Sequence, residues 1–137
     1  MALVMAPVVR HMMVCDDAEV DAQNPRKINV YGLISSIAVD AVTGFPHCHE
    51  ELCVYVAMSD GRGSGEGRIV VVQADSGDPV FASAGHPVAF GVDPLAVLGR
   101  CFRIRGGVFP RPGLYWVEFR FNGQTLATQP LHVKESS

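Results

Sequence analysis

Apolar and polar residues alternate along much of this chain with a period of two, which is the period of a β-strand. The alternation is clearest near the C-terminus, where Tyr115, Val117, Phe119 and Phe121 share one parity and Glu118 stands on the other. No window of eleven or more residues carries a helical period. The pattern therefore predicts an all-β chain.

Turn residues divide this pattern into short strands. Asn122-Gly123 is the preferred pair of a two-residue type I′ turn, and Pro130 in the return strand favours an edge or bulged position. Gly32 indicates a bulge or bend, and the glycine-rich stretch 60–67 predicts a mobile hairpin loop. We expect strands at 8–14, 27–39, 52–58, 68–74, 80–83, 101–105, 115–121 and 125–133.

Short strands separated by turns predict an antiparallel two-sheet β-sandwich, immunoglobulin-like or jelly-roll-like, with about 8 to 9 strands and little helix. A chain of 137 residues has the size of one domain, and no linker divides it, so we expect 1–137 to form a single domain. Positions in alternating or wholly apolar strands predict the core: Val30, Leu33, Val54, Val56, Val71, Phe102, Ile104, Val117 and Phe119.

The hydrophobic pattern predicts neither a signal peptide nor a membrane span. The apolar N-terminal run ends at Arg10, and no later stretch reaches the ~18 apolar residues of a spanning helix. Cys15, Cys48, Cys53 and Cys101 have no CxxC spacing, and three of them lie in apolar runs where a free cysteine acts as a small hydrophobe. We expect a cytoplasmic protein without a disulfide.

Four stretches, taken in order, carry a family resemblance. They are Cys15-Asp16-Asp17-Ala18-Glu19-Val20-Asp21 with Lys27-Ile28-Asn29-Val30-Tyr31-Gly32; Phe45-Pro46 with His49 and Leu52; Phe109-Pro110 with Pro112-Gly113-Leu114-Tyr115; and Asn122-Gly123. They resemble a family of small bacterial β-sandwich proteins catalogued as a domain of unknown function. The resemblance implies the sandwich fold and nothing about activity.

Potential metal ligands are densest in the stretch 47–53, which contains His47, Cys48, His49 and Cys53. Histidine and thiolate are good zinc ligands, but the two cysteines have opposite parity in an extended segment and a remote fourth ligand would be needed. We expect a polar loop that enters a buried strand, with no metal and no other cofactor. Whether these four residues ever bind a metal stays open.

Catalytic motifs are absent from the sequence. Gly63-Ser64-Gly65 lies in a predicted hairpin instead of a strand-to-helix elbow, and the glycines of 61–67 lead into a strand instead of a phosphate-binding helix. The acidic residues of 16–21 lack the spacing of a calcium-binding loop, and we expect them to form a solvated loop. We therefore expect no enzyme activity.

Charge is distributed unevenly along the chain. Residues 1–99 carry five Lys/Arg and twelve Asp/Glu, a balance of −7, whereas residues 100–137 carry six and two, a balance of +4. Such asymmetry is typical of a binding surface or of self-association.

Four residues of the basic part are candidates for binding. Arg103 and Arg105 point the same way from one predicted strand, and Arg120 points outward from the last hairpin with Trp116 on its face. Arginine beside an exposed aromatic residue is typical of interface hot spots. An ordinary solvated sheet face, with Glu118 paired to an arginine, would give the same pattern.

The sequence thus favours a non-catalytic interaction domain that associates with itself or docks on a protein assembly. Phosphate contact and base stacking would suit a nucleic acid, but we expect neither a nucleic acid nor a membrane as partner. The alternative is a small-ligand or carbohydrate-binding sandwich. It would need exposed aromatic residues, for which Trp116, Tyr31 and Tyr55 are the candidates.

Overall fold

A computed structural model of the chain describes residues 3–24 and 27–136. Over these residues the chain forms strands and no helix, so no helix there is long and apolar enough to cross a membrane. The all-β prediction is confirmed. The strands are β1 (Val8–Val20), β2 (Ile28–Leu33), β3 (Ser36–Asp40), β4 (His47–Ser59), β5 (Ser64–Gln73), β6 (Pro79–Ala82), β7 (His86–Ala89), β8 (Leu98–Phe109), β9 (Gly113–Phe121) and β10 (Gln124–Ser136).

The strands form two sheets, as predicted, but the described residues form ten strands instead of the expected 8 to 9, because the run 27–39 divides into two strands and His86–Ala89 forms another. One sheet has four strands in the order β2-β1-β4-β8, and the other has six, in the order β3-β10-β9-β5-β6 with β7 paired to the start of β5. All pairs are antiparallel except β3 with β10, which is parallel. The wholly antiparallel expectation is wrong at this pair, because β3 enters the six-stranded sheet from the other sheet and not through a hairpin.

The hydrophobic core lies between the sheets and is built from the inward parity of their central strands. Leu33 is 70% exposed and Val30 is only half-buried, so these two core predictions are wrong. Both belong to β2, an edge strand, whose alternation does not face the core. The other seven predicted core residues are buried: Val54, Val56, Val71, Phe102, Ile104, Val117 and Phe119.

β1 is longer than its apolar pattern predicts. It pairs with β4 as far as Cys15 and then continues through the acidic residues as the partner of β2 alone, so the expected acidic loop is instead a strand. Gly32 makes room for this pairing: its φ of 63° is left-handed, and a Cβ there would meet the Asp16 carboxylate. Side chains of the β1–β2 hairpin contact the outer faces of β4 and β8, so the hairpin bends over these strands and the four-stranded sheet is curled.

Two connections cross between the sheets where the sequence pattern predicts continuity. The run 27–39 is two strands, because β2 ends at Leu33 and β3 begins in the other sheet. The stretch 60–67 does not join a hairpin, because β4 and β5 belong to different sheets and residues from Ser64 onward already pair with β7.

The C-terminal hairpin follows its prediction. Asn122 and Gly123 have φ angles of 49° and 83°, as a type I′ turn requires. Pro130 is paired on one side only, because β10 acquires its second neighbour, β3, at His132. At the corner before β9, the buried Tyr115 hydroxyl donates a hydrogen bond of 2.5 Å to the backbone carbonyl of Arg111.

Candidate functional site

The four predicted binding residues do not share a face. Arg103 and Arg105 lie on β8 in the four-stranded sheet, whereas Trp116 and Arg120 lie on β9 in the six-stranded sheet. Their strand neighbours of opposite parity fill the common core, so the two pairs point outward from opposite sides of the molecule. The expected single arginine face is wrong in this respect. The binding role of each residue stays a prediction.

Arg103 is held by partners within the chain. Its Nη2 donates to Asp17 Oδ1 at 2.6 Å and to the backbone carbonyl of Ala18 at 2.8 Å, and its Nε lies 3.6 Å from Glu51 Oε1. The bond from Arg103 keeps the pKa of Asp17 below its ordinary value. Arg103 therefore ties the β1–β2 hairpin to β8 and does not present a free charge.

Arg120 is also neutralised. Its Nη2 lies 2.6 Å from Glu118 Oε1 and its Nε donates to the same oxygen at 3.0 Å. Trp116, on the same outer face, is half-buried. This arrangement agrees with an ordinary solvated sheet face in which Glu118 is paired to an arginine.

Arg105 is exposed and shares a shallow surface depression with acidic residues. Asp16, Glu50 and Glu51 line that depression together with His49. Burial, and next the neighbouring His47, lower the pKa of His49. The surroundings of Arg105 are therefore acidic overall, and β8 does not carry a basic face.

A groove of about 270 Å³ lies between the β1–β2 hairpin and the outer face of β4 and β8. Tyr55 contributes one wall, and burial raises the pKa of its hydroxyl. Gly99 lies directly against that hydroxyl, where a Cβ would not fit. The groove is lined by Ala18, Glu19, Val20, Ile28, Tyr55, Gly99, Cys101 and Arg103.

Three cysteines form a row beneath this groove. Cys53 of β4 is joined to Cys101 of β8 by a disulfide, with the two Cα atoms 6.5 Å apart. On its other side Cys53 stands directly opposite Cys15 of β1, whose thiol lies 3.6 Å from the Cys53 carbonyl oxygen. Burial raises the pKa of the Cys15 thiol, and the charges of Asp17 and Asp16 add to this effect.

The disulfide corrects the expectation of four free thiols. Cys53 lies opposite Arg103, and Tyr55 lies opposite Cys101, so the two cysteines are diagonal neighbours on one face of the β4–β8 ladder. Their separation of 48 residues hides this proximity in the sequence. The cytoplasmic location stays a prediction, now without the support of cysteine usage, because disulfides persist mainly in oxidising compartments.

The stretch 47–53 does not assemble a metal site. His47 Nε2 and His49 Nδ1 lie 3.4 Å apart, but Cys48 is exposed and Cys53 is in the disulfide. Within residues 3–24 and 27–136 no three His, Cys, Asp or Glu side chains are grouped as metal ligands. The metal-free state itself stays a prediction.

Two apolar segments flank the loop 60–63 at one end of the sheets. Met5 and Arg62 exchange backbone hydrogen bonds of 3.0 and 3.1 Å. The segment 90–97 contacts the same loop through a 2.6 Å bond from Asp60 N to the Pro94 carbonyl. We call the following exposed side chains the apolar end: Leu3, Val4, Met5, Val92, Leu95 and Val97.

The model of a family described as "Family of unknown function (DUF6941)" matches residues 10–134. The chain belongs to this family. The sequence resemblance to a family of unknown function is thereby confirmed. No curated protein matches the chain.

Three solved structures similar to this chain come from larger proteins. The Pseudomonas fluorescens alkylpurine DNA glycosylase AlkC, bound to DNA containing an abasic site analogue, is 11% identical with a TM-score of 0.51 over 93% of this chain and 30% of its own. Two structures of β-glucosidase from Listeria innocua, one with isofagomine and one with glucose, are 13% and 14% identical with TM-scores of 0.50, over 92% and 90% of this chain and 16% of theirs. The chain thus spans less than a third of each, and these likenesses concern the fold alone.

Sequence reasoning missed the cysteine row and the apolar end. The row depends on the register of three strands that are distant in sequence. One signal of the apolar end was available, because Val92, Leu95 and Val97 surround Asp93-Pro94, a turn pair, and apolar residues in a turn have no sheet to pack against.

Proposed function

We propose that this chain is a non-catalytic interaction domain that pairs with a second copy of itself through the apolar end. The supporting observation is the exposure of large hydrophobic side chains on two neighbouring segments: Leu95 is 75% exposed, Leu3 66% and Val97 62%. Both segments contact the loop 60–63, and patches of exposed apolar side chains are typical of protein contact sites. The sandwich arrangement of the two sheets and the cytoplasmic location belong to the same proposal.

A twofold contact makes such a surface effective, because each residue is buried twice. Full burial of one Leu, Val or Met side chain contributes about 1.5–3 kcal/mol. Association opposes this with a cost of about 4–15 kcal/mol for lost freedom of motion. Several side chains on each copy are therefore needed, and the apolar end offers six.

The charges around the apolar end support pairing with a second copy. Arg10 and Asp60 neutralise each other through a 2.6 Å ion pair. Arg62 and Asp93 are exposed, carry opposite charges, and form no ion pair within residues 3–24 and 27–136. In an isologous contact, Arg62 of one copy faces Asp93 of the other, and the reverse pair forms by symmetry.

The test is the mass in solution, measured by light scattering at tens of micromolar, for the native chain and for Leu95→Ala. We expect the native chain to be a dimer. Leu95 of each copy would be mostly buried in the dimer, so its loss from both copies should weaken the association by about 2–4 kcal/mol, which is roughly 30- to 1,000-fold in Kd.

Two matched controls are available. Val42 is 93% exposed and lies before the start of β4, whereas the apolar end lies beyond the end of that strand. Val42→Ala should therefore leave the mass unchanged, and so should Trp116→Ala on the outer face of β9. A native monomer, or equal effects of Leu95→Ala and Val42→Ala, would overturn the proposal.

The groove favours a second candidate function, binding of a small apolar ligand. Ile28 and Tyr55 line it, and its arginine is already paired with carboxylates, so a ligand would be held there mainly by apolar contact. The fluorescence of anilinonaphthalene sulfonate tests this candidate. Enhancement that is lost in Ile28→Glu but kept in Leu95→Ala would support it, whereas equal loss in both would contradict it.

A further inference from the structure

The row of cysteines on the curled sheet places a free thiol next to a disulfide. Cys53 lies on the middle strand, bonded to Cys101 of β8 and directly opposite Cys15 of β1. Cys15 and Cys53 are fully buried, whereas Cys101 is partly exposed and lines the groove. The member of the row that the groove reaches is therefore Cys101.

We propose that these three cysteines form a thiol–disulfide exchange site whose substrate class is a low-molecular-weight disulfide. In the internal step the Cys15 thiolate attacks Sγ of Cys53. The Cys15–Cys53 bond forms, the Cys53–Cys101 bond breaks, and the electron pair leaves on Sγ of Cys101. One proton is lost by Cys15 and one can be taken up by Cys101, so the step needs no oxidant.

In the external step the Cys101 thiolate attacks the small disulfide in the groove. A mixed disulfide forms on Cys101 and one small thiolate leaves, so the bonds and electrons again balance. Cys101 lines the groove of about 270 Å³, whereas Cys15 is fully buried, so a small disulfide in the groove meets Cys101 first.

The backbone suits both disulfides. Directly opposed residues of an antiparallel pair have Cα atoms about 4.5–5.5 Å apart, inside the 4.4–6.8 Å range of disulfides. Cys15 and Cys53 are such a pair, and Cys53 and Cys101 are diagonal neighbours 6.5 Å apart. Thiol–disulfide exchange needs the attacking and leaving sulfurs on opposite sides of the sulfur that is attacked, and the strand order places Cys15 and Cys101 on opposite sides of Cys53.

Burial and the charges around Cys15 control the rate of the internal step. Burial disfavours the Cys15 thiolate most, Asp17 and Asp16 on β1 add to this effect, and Arg103 on β8 opposes it. Exchange should therefore accelerate as pH rises above neutrality. Asp17→Asn should accelerate it several-fold at constant pH, because it removes a negative charge and frees the guanidinium.

The experiment uses the Cys48→Ser chain, in which the exposed free thiol is removed. The folded protein is incubated with glutathione disulfide at pH 8, quenched in acid, and mapped by mass spectrometry of peptides without reduction. We expect glutathione on Cys101 together with a Cys15–Cys53 linked peptide. The untreated protein should give the Cys53–Cys101 peptide.

The matched control is Cys15→Ser in the same background, which lacks the attacking thiol and should keep Cys53–Cys101 without an adduct. If that variant does not fold, the pH series and Asp17→Asn test the proposal in the Cys48→Ser chain alone. Glutathione on Cys15 with Cys53–Cys101 intact, no adduct at any pH, or an untreated protein without the Cys53–Cys101 bond would each overturn it.

Discussion

Removal of the Cys53–Cys101 disulfide should cost a large part of the stability of this fold. The bond closes a loop with a sequence separation of 48 residues. The loss of chain entropy in the unfolded state for a loop of this length corresponds to about 4 kcal/mol at 25 °C. Since an unfolded chain retains some structure, we expect Cys53→Ala with Cys101→Ala to lower the free energy of unfolding by about 3–4 kcal/mol.

Urea unfolding followed by the fluorescence of Trp116, the single tryptophan, measures this difference. The slope of the free energy with urea should also rise in the double variant, because an unlinked unfolded chain exposes more surface. The native chain with reductant should match the double variant, and Cys48→Ala should change stability by less than about 0.5 kcal/mol. A loss below about 1 kcal/mol, or no effect of reductant, would refute this reasoning.

Three further predictions concern single side chains. Tyr115→Phe removes the hydrogen bond from the buried Tyr115 side chain to the Arg111 carbonyl and should lower the free energy of unfolding, measured in urea, by about 1–2 kcal/mol; an unchanged free energy would contradict this. The pKa of His49 is lowered in the folded chain, so the neutral side chain that the fold favours is present above the ordinary histidine pKa, and stability is lost as pH falls below it. His49→Gln removes this titration and should flatten the decline of Tm between pH 7 and 5. An unchanged slope would contradict this. Arg103→Gln breaks the bond to Asp17 and should speed amide hydrogen exchange in the second half of β1 and in β2, with β9 and β10 as the unaffected internal reference; uniform acceleration would indicate a global effect instead.

The hairpin of β9 and β10 could be predicted from sequence because its information is local. Asn122-Gly123 is a residue pair that readily adopts the positive φ angles of the turn, and the alternation before it defines which side chains face the core. Neither signal depends on the rest of the chain. Central core positions such as Val54 and Phe102 could be predicted for the same reason, because both parities of their strands are apolar or cleanly alternating.

The candidate surfaces could not be predicted in this way, because they depend on which sheet each strand joins. Arg103 and Arg120 lie on strands that follow each other in sequence, but the corner between them carries the chain from one sheet to the other. Cys53 and Cys101 meet only through the register of β4 and β8. Neither the change of sheet nor the strand register can be recognised from the residue types of a short segment.

The association of two copies through the apolar end is tested most directly by a charge exchange. Arg62→Asp and Asp93→Arg each place like charges opposite each other in an isologous contact, so each variant alone should be monomeric by light scattering. In an equimolar mixture, both contacts regain opposite charges, and we expect a dimer that contains one copy of each variant. A mixture that stays monomeric while the native chain dimerises, or variants that dimerise alone as the native chain does, would contradict the account.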